Sequence, residues 1–307
     1  MTTKTRNEKT ARAPVKKAAS KKGAAVLVHD TDRKYLRVIA DYGQLGDLAF
    51  AEVTDRLHAV MRDAGILDYK IDSTTVPAFD TYATGFVLAQ LAVNSPLGKD
   101  HIFYVNTAPR KDKKSARINN EGEGLVYARL KNGVQIVAVN SGYSLTFIKP
   151  HAVMIRELKV SKAGSQFRSR DIFPQAVAAV LAGDSSILGR DVTASVPSAV
   201  PENRVVYTDG YGNLKTSVNP ADLQKLKGRP AYLKVGDADQ KAVMVGTGIF
   251  DVADGDYCFA KGSSGWDAGK GSKRVEFSEI ICRGGNASRG FNRPAGGKVV
   301  MWKPISR

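Results

Sequence analysis

Short apolar runs alternate with helical segments through the first half of the chain, and this alternation constrains the fold most. Runs rich in β-branched and aromatic side chains predict strands at residues 35–41, 66–72, 101–106 and 134–140. Apolar residues at helical spacing, with suitable end signals, predict helices at residues 45–64, 81–92 and 171–182. Such alternation favours an α/β N-terminal domain with a mostly parallel sheet.

The second half has a different pattern. Short strands broken by Gly, Asp and Ser are predicted at residues 231–235, 242–250, 274–282 and 298–302. They favour a small all-β, barrel-like C-terminal domain. We therefore divide the chain into a tail (1–23), an α/β domain (24–190), a linker (191–203) with two prolines, and a β-barrel domain (204–307).

Positive charge is concentrated at the start of a chain of 307 residues and net charge +16. Residues 1–23 contain eight Lys or Arg and one Glu but almost no large apolar side chain, so we expect a disordered basic tail. Such a tail can contact nucleic acid nonspecifically through counterion release, or it can simply keep the protein in solution. No zinc finger or other base-reading motif accompanies it.

Several classes of protein are disfavoured. No apolar run approaches 18 residues, and the start lacks the apolar core of a secretory signal, so we expect a cytoplasmic protein without a membrane partner. Cys258 and Cys282 form no disulfide framework, and the four histidines are scattered. We therefore expect no metal and no cofactor.

The segment Asp209-Gly-Tyr-Gly-Asn213 follows a predicted strand, Val205–Thr208. Its glycines allow positive φ and a close approach to a ligand, which leaves Asp209, Tyr211 and Asn213 free to bind. An ordinary hairpin turn is equally consistent with these residues. The segment Phe167-Arg-Ser-Arg-Asp-Ile-Phe173 makes the ligand-binding interpretation stronger.

Four further residues are candidates with ordinary alternatives. Asp41 follows the first strand, where a carboxylate can accept both hydroxyls of a ribose or favour the start of a helix. Phe79 lies in a loop and can stack on a nucleoside or fill a core. Ser263 and Arg283 lie in glycine-containing loops, which either bind a ligand or simply turn the chain. No phosphate-binding loop of the GxGxxG or GxxxxGK[ST] type is present.

The order of these segments resembles the S-adenosylmethionine hydroxide adenosyltransferase family, which includes the fluorinases and chlorinases. The resemblance extends over about residues 35–303, and Ser-Arg-Asp-Ile-Phe and Asp-Gly-Tyr-Gly-Asn are its specific parts. It implies a fluorinase-like fold, a homotrimer, and an active site between the N-terminal domain of one subunit and the C-terminal domain of the next.

The family displaces methionine from the 5′ carbon of S-adenosylmethionine with hydroxide or halide. By this resemblance, Asp41 holds the ribose diol and Phe79 packs on the sugar. The methionine and adenine ends are lined by Asp209, Tyr211, Asn213, Ser263 and the loop at Arg283. Asp209 is expected to pair with the methionine ammonium.

The nucleophile pocket departs from the family pattern. Hydrolase members have an Asp-Pro-Gly-Val-Gly loop, an Arg, and a Phe-His-Gly-Arg-Asp segment. Here the loop begins at Asn106, the Arg matches Lys113 or Arg117, and Arg168 replaces the His. Ser169 replaces the Gly, as in halogenases, but Asn106 stands where halogenases have Tyr. Asn106, Arg168 and Ser169 are the catalytic candidates, although neither Asn nor Arg can act as a general base.

Three functions follow from these observations. The first is an adenosine-forming S-adenosylmethionine hydrolase that uses hydroxide. The second is an adenosyltransferase that uses halide. The third is a non-catalytic protein that binds S-adenosylmethionine or adenosine and contacts nucleic acid through its tail.

Overall fold

The computed structural model describes residues 33–109, 115, 122–161, 164–269 and 273–305. Two seven-stranded sheets lie in these ranges, within one contact unit, Asp32–Arg307. The predicted tail at residues 1–23 and both Lys113 and Arg117 lie outside the described residues. The proposed domain boundaries stay a prediction.

The first sheet has the strand order β2-β1-β3-β5-β4-β6-β7. Its strands are β1 (Lys34–Ala40), β2 (Tyr69–Thr75), β3 (His101–Asn106), β4 (Leu125–Leu130), β5 (Gln135–Val139), β6 (Ala152–Leu158) and β7 (Leu188–Asp191). The pairs β1–β2, β1–β3 and β3–β5 are parallel. The pairs β4–β5, β4–β6 and β6–β7 are antiparallel.

The expectation of a mostly parallel sheet was wrong, because this sheet is mixed. The predicted alternation of strands and helices did not include β4 or β6. A tight hairpin through Gly133, whose φ is +91°, connects β4 to β5. A hairpin makes its strands antiparallel, whereas parallel neighbours need a long crossover connection. The hairpin therefore makes β4 antiparallel to β5.

Helices cover both faces of the first sheet. They are α1 (Leu48–Asp63), α2 (Thr81–Ala92), α3 (Arg168–Asp171) and α4 (Phe173–Leu181). The side chain of Asp47 caps α1 by accepting the Ala49 N–H at 3.1 Å, and the chain turns after the helix at Gly65, where φ is +72°. α1 and α4 share an apolar core with the sheet face that carries Tyr104.

The second sheet has the order β14-β10-β11-β12-β13-β9-β8. Its strands are β8 (Val205–Thr208), β9 (Leu214–Thr216), β10 (Arg229–Val235), β11 (Lys241–Val245), β12 (Tyr257–Trp266), β13 (Val275–Cys282) and β14 (Val300–Pro304). Two short helices, α5 (Pro220–Gln224) and α6 (Ala287–Gly290), accompany them. An isolated β-bridge joins Arg204 to Val299, the residues that directly precede the outer strands β8 and β14. The two outer strands therefore approach each other, and the sheet curls into a half-barrel.

Helix α2 lies between the two sheets and is buried on nearly all sides. The Phe86 ring stacks on Tyr207 at 5.4 Å and meets Phe277 edge-on at 4.9 Å, both in the second sheet. At the end of the helix, the Gln90 side chain accepts the Gly265 N–H at 2.9 Å. A helix buried on both sides has no need of a polar face, which explains its apolar sequence. In the part of the chain that the structure describes, no helix is both long and apolar enough to cross a membrane.

Replacement of Phe86 by Ala tests this packing. We expect the Phe86→Ala variant to lose about 3–5 kcal/mol of unfolding free energy, because the cavity lies where α2 meets both sheets. Urea denaturation provides the measurement. Leu67→Ala, at a side chain that is 78% exposed, is the control and should change stability by less than about 0.5 kcal/mol. Equal midpoints for the two variants would contradict this account of α2.

Candidate functional site

Polar residues meet where β1, β2 and β3 end. Ala40 pairs with both Thr75 and Asn106, so the three strands stop at the same level. Asp41 follows β1, and its backbone N–H donates to the Asn106 carbonyl at 3.4 Å. Its carboxylate accepts the Phe79 N–H at 2.8 Å. The structure therefore brings together Asp41, Phe79 and Asn106, in the crevice position where α/β sheets bind ligands.

Phe79 has an unusual backbone and an exposed ring. Its φ is +60°, which is rare for an aromatic residue, and 56% of the residue is exposed. The following residue, Asp80, caps α2 by accepting the Ala83 N–H at 2.9 Å and also accepts the Gly296 N–H at 2.7 Å. Because more than half of Phe79 is exposed, its ring does not fill a core, and the ring face is accessible for stacking.

The short helix α3 brings Arg168 and Ser169 to the face of the sheet that carries Tyr104. Ser169 is buried, and its carbonyl accepts the Tyr104 hydroxyl at 2.8 Å. Arg168 donates to the Glu123 carbonyl at 3.1 Å, and its guanidinium carbon lies 5.2 Å from the centre of the Phe173 ring. Arg168 is thus held by the backbone and an aromatic ring instead of extending into solvent.

Two tyrosines next to this group were not singled out from the sequence. The Tyr42 hydroxyl is buried without a well-formed hydrogen bond in the described ranges, and its ring contacts Phe167 edge-on at 5.9 Å. Burial raises the pKa of Tyr42 and of Tyr104, so both phenols stay protonated at neutral pH. The sequence could have pointed to both tyrosines. Tyr42 adjoins Asp41, and Tyr104 lies two residues before Asn106, so that its side chain is on the same face of the strand.

A second group forms at the 209–213 turn of the half-barrel. One oxygen of Asp209 accepts the backbone N–H groups of Tyr211 and Asn213, both at 3.0 Å. The other accepts the Asn213 amide at 3.1 Å and pairs with Lys215 at 3.1 Å. Burial acts to raise the pKa of Asp209, but the hydrogen bonds from Asn213 and the charge of Lys215 outweigh it and hold the pKa below its usual value. Asp209 is therefore ionised and firmly placed.

The 209–213 turn packs against the loop that follows β13. A Cβ on Gly212, whose φ is +87°, would come within 2.2 Å of the Asn286 side chain. The Ser288 N–H donates to the Gly212 carbonyl at 2.7 Å. Tyr211 projects outward and is 82% exposed. The structure thus joins Asp209, Asn213 and the loop after β13 into one surface.

The remaining candidates lie apart from one another. Ser263 is exposed in the irregular part of β12, where the register with β13 shifts between Lys261 and Gly265. Arg283 donates to the Val252 carbonyl at 2.7 Å. Its guanidinium carbon lies 5.5 Å from the centre of the exposed Phe250 ring.

A shallow groove elsewhere contains none of these residues. It lies beside the end of α1 and the start of β2, away from the strand ends that carry Asp41, and is lined by Asp55, His58, Ala59, Arg62, Ile66, Leu67 and Tyr69. Among the described residues, no group of three or more His, Cys, Asp or Glu is arranged to hold a metal ion. Cys258 and Cys282 are both free thiols.

Residues 36–188 match the model of the SAM hydroxide adenosyltransferase N-terminal domain. This match places the chain in the SAM hydroxide adenosyltransferase family. This confirms the family resemblance that the sequence motifs indicated. Family membership indicates activity on S-adenosylmethionine. The matched range contains Asp41, Phe79, Asn106, Arg168 and Ser169.

Two solved structures share the fold across both halves of the chain. An uncharacterised conserved protein from Thermotoga maritima is 21% identical with a TM-score of 0.60, over 87% of this chain and 99% of that one. A conserved hypothetical protein from Thermus thermophilus is 18% identical with a TM-score of 0.58, over 89% of this chain and all of that one. At these identities the likeness shows the fold alone. No curated protein matches the chain.

The Tyr104 hydroxyl provides a test of how β3 is tied to α3. Tyr104→Phe leaves the buried Ser169 carbonyl without its donor, so we expect a loss of about 1–3 kcal/mol of unfolding free energy. Denaturant titration measures it. The matched control is Tyr127→Phe, whose hydroxyl bonds the partly buried Gln135 side chain, and it should cost less. Identical losses in both variants would sink the proposed link.

Proposed function

We propose that this family member cleaves S-adenosylmethionine to adenosine and methionine with hydroxide as the nucleophile. The hydroxide oxygen forms a bond to the 5′ carbon while the bond from that carbon to sulfur breaks. The electron pair of the broken bond goes to sulfur, which changes from a sulfonium to a neutral thioether. The observation that carries this proposal is the placement of Asp41, Phe79 and Asn106 at one sheet edge within the matched family domain.

In this proposal Asp41 and Phe79 bind the nucleoside. The Asp41 carboxylate accepts the ribose hydroxyls, and its orientation is supported by the 2.8 Å hydrogen bond from the Phe79 backbone. The exposed Phe79 ring packs on the sugar. Fixing the ribose fixes the 5′ carbon, so that the nucleophile can approach in line with the bond that breaks.

The second group is proposed to hold the rest of the substrate. Asp209 and Asn213 face the methionine end, while Tyr211, Ser263 and the loop at Arg283 line the remainder. We propose that these residues come from the neighbouring subunit of a homotrimer.

The nucleophile is proposed to sit beside Asn106, Arg168 and Ser169. Asn106 and Arg168 cannot take a proton from water. The buried phenol of Tyr42 stays protonated at neutral pH and can donate a hydrogen bond, whereas the Tyr104 hydroxyl already donates to the Ser169 carbonyl. Such a set stabilises an anion without generating one, so hydroxide must arrive from solvent. The same set favours halide as a second candidate nucleophile.

The cofactor requirement, the cellular compartment and the role of the tail are also part of this proposal. S-adenosylmethionine acts as substrate and no separate cofactor is required. The protein acts in the cytoplasm, and its basic tail adds nonspecific contact with nucleic acid. A protein that binds S-adenosylmethionine without turnover is one outcome of the following experiment.

Product analysis tests the proposed reaction. Purified protein is incubated with S-adenosylmethionine, with and without halide salts, and adenosine, 5′-halo-adenosine and methionine are separated by chromatography. We expect adenosine and methionine in equal amounts. Halo-adenosine as the main product would favour the second nucleophile, and tight binding without products would refute catalysis.

The substitution Asp41→Asn should reduce kcat/KM about tenfold to hundredfold, since hydrogen bonds to a charged group contribute about 1.5–3 kcal/mol. Asp63→Asn is the control, because the Asp63 side chain is 68% exposed on α1. An Asp41→Asn variant with the same kcat/KM as the Asp63→Asn variant would remove Asp41 from the site.

The absence of a base from the proposed nucleophile group predicts a specific pH profile. Because hydroxide is taken from solvent, kcat/KM should rise about tenfold per pH unit between about pH 6 and 8 without a plateau. Initial rates in buffers of constant ionic strength measure this slope. A plateau within that range would reveal a titrating base and contradict the assignment.

A further inference from the structure

An ion-pair network lies behind the 209–213 turn. The Lys215 ammonium pairs with Asp209 at 3.1 Å and makes a shorter contact with Glu279. The side chains of Lys215, Asp209 and Glu279 are 8%, 20% and 7% exposed. Lys215 and Glu279 face each other across β9 and β13, which fixes their approach through the sheet register.

The network contains two carboxylates and one ammonium, so its formal net charge is −1. Glu279 is confined on its far side, because a Cβ on Gly262 would come within 2.8 Å of its second carboxylate oxygen. Removing one partner from a buried pair leaves an uncompensated charge, whereas removing both together costs much less. The pair is therefore weak evidence for stability and calls for another explanation.

The contacts of the network bear on how the Asp209 carboxylate is oriented. Of the groups that contact the Asp209 carboxylate, two backbone N–H groups and the Asn213 amide belong to the turn, and Lys215 is the cation. Glu279 forms the second ion pair of that cation. The turn thus holds both oxygens of Asp209, and Lys215 adds a cation to the oxygen that also accepts the Asn213 amide.

We propose that Lys215, held by Glu279, is a positioning residue for Asp209. It orients the Asp209 carboxylate and keeps it ionised, so that the turn presents a fixed negative charge to the cationic end of the substrate. This inference rests on the proposed function, in which Asp209 faces the methionyl part of S-adenosylmethionine. Lys215 itself touches neither substrate nor the reacting atoms.

The double variant Lys215→Met/Glu279→Gln separates position from charge. It keeps the net charge of −1, because one positive and one negative group are removed together, but Asp209 loses its cation. Among the described residues, Tyr207 is a further titratable group that interacts with Asp209, and it is unchanged in this variant. If net charge alone mattered, the double variant would bind substrate like the wild type.

The affinity for S-adenosylmethionine is measured by calorimetry from about pH 4 to 8, and the Asp209 carboxyl is titrated by 13C NMR and assigned with Asp209→Asn. In the double variant we expect about tenfold weaker binding and a rise of about one unit in the pKa of Asp209. The acidic limb of binding should shift to higher pH. Lys225→Met, which removes the exposed Lys225–Asp222 pair, is the control and should match the wild type.

Wild-type affinity together with an unchanged Asp209 titration in the double variant would overturn the inference. If that variant does not fold, Glu279→Asp alone decides: it keeps the net charge of −1 but draws the carboxylate back from Lys215, so binding should still weaken, and wild-type affinity would overturn the inference. A wild-type protein that fails to bind S-adenosylmethionine would instead refute the proposed function, and the Asp209 titration would then decide the role of Lys215 separately.

Discussion

The burial of α2 between two sheets is the constraint on which the rest of the structure depends. Its apolar side chains form one continuous core with residues of both sheets, including Phe86 and Trp266. The start of the helix is fixed by Asp80, which also reaches the loop at Gly296. Because the loop before the helix carries Phe79, packing in the interior determines where an exposed ring and the Asp41 carboxylate stand. The geometry of the site is thus a consequence of the core.

The two groups of candidate residues are built on different physical principles. At the edge of the first sheet, aligned strand ends and a short helix assemble side chains that mostly donate hydrogen bonds. At the turn of the half-barrel, a carboxylate is held by backbone N–H groups and a cation. An arrangement that combines hydrogen-bond donors with a fixed negative charge suits a substrate that carries positive charge.

The sequence predicted some parts of this structure well. The bounds of α2 and β3 agree with the prediction, since Asp80 is a strong helix cap and Asn106 interrupts an apolar run. The clustering of Asp41 with Asn106 follows from strand ends at one level. Strands β4 and β6 were missed, because their hairpin pairing breaks the simple alternation of strand and helix. Lys215 and Glu279 were missed because residues 64 positions apart pair only through sheet register, which no local pattern reveals.

The outer strands of the first sheet have a consequence for how the protein behaves at high concentration. Exposed strand edges invite pairing with other chains, and charged side chains discourage it. On β2 the charged residues Lys70 and Asp72 form an ion pair at 3.2 Å, and β7 is only four residues long with Arg190 and Asp191 at its end. Both rims of the sheet are thereby poor templates for intermolecular β-aggregation.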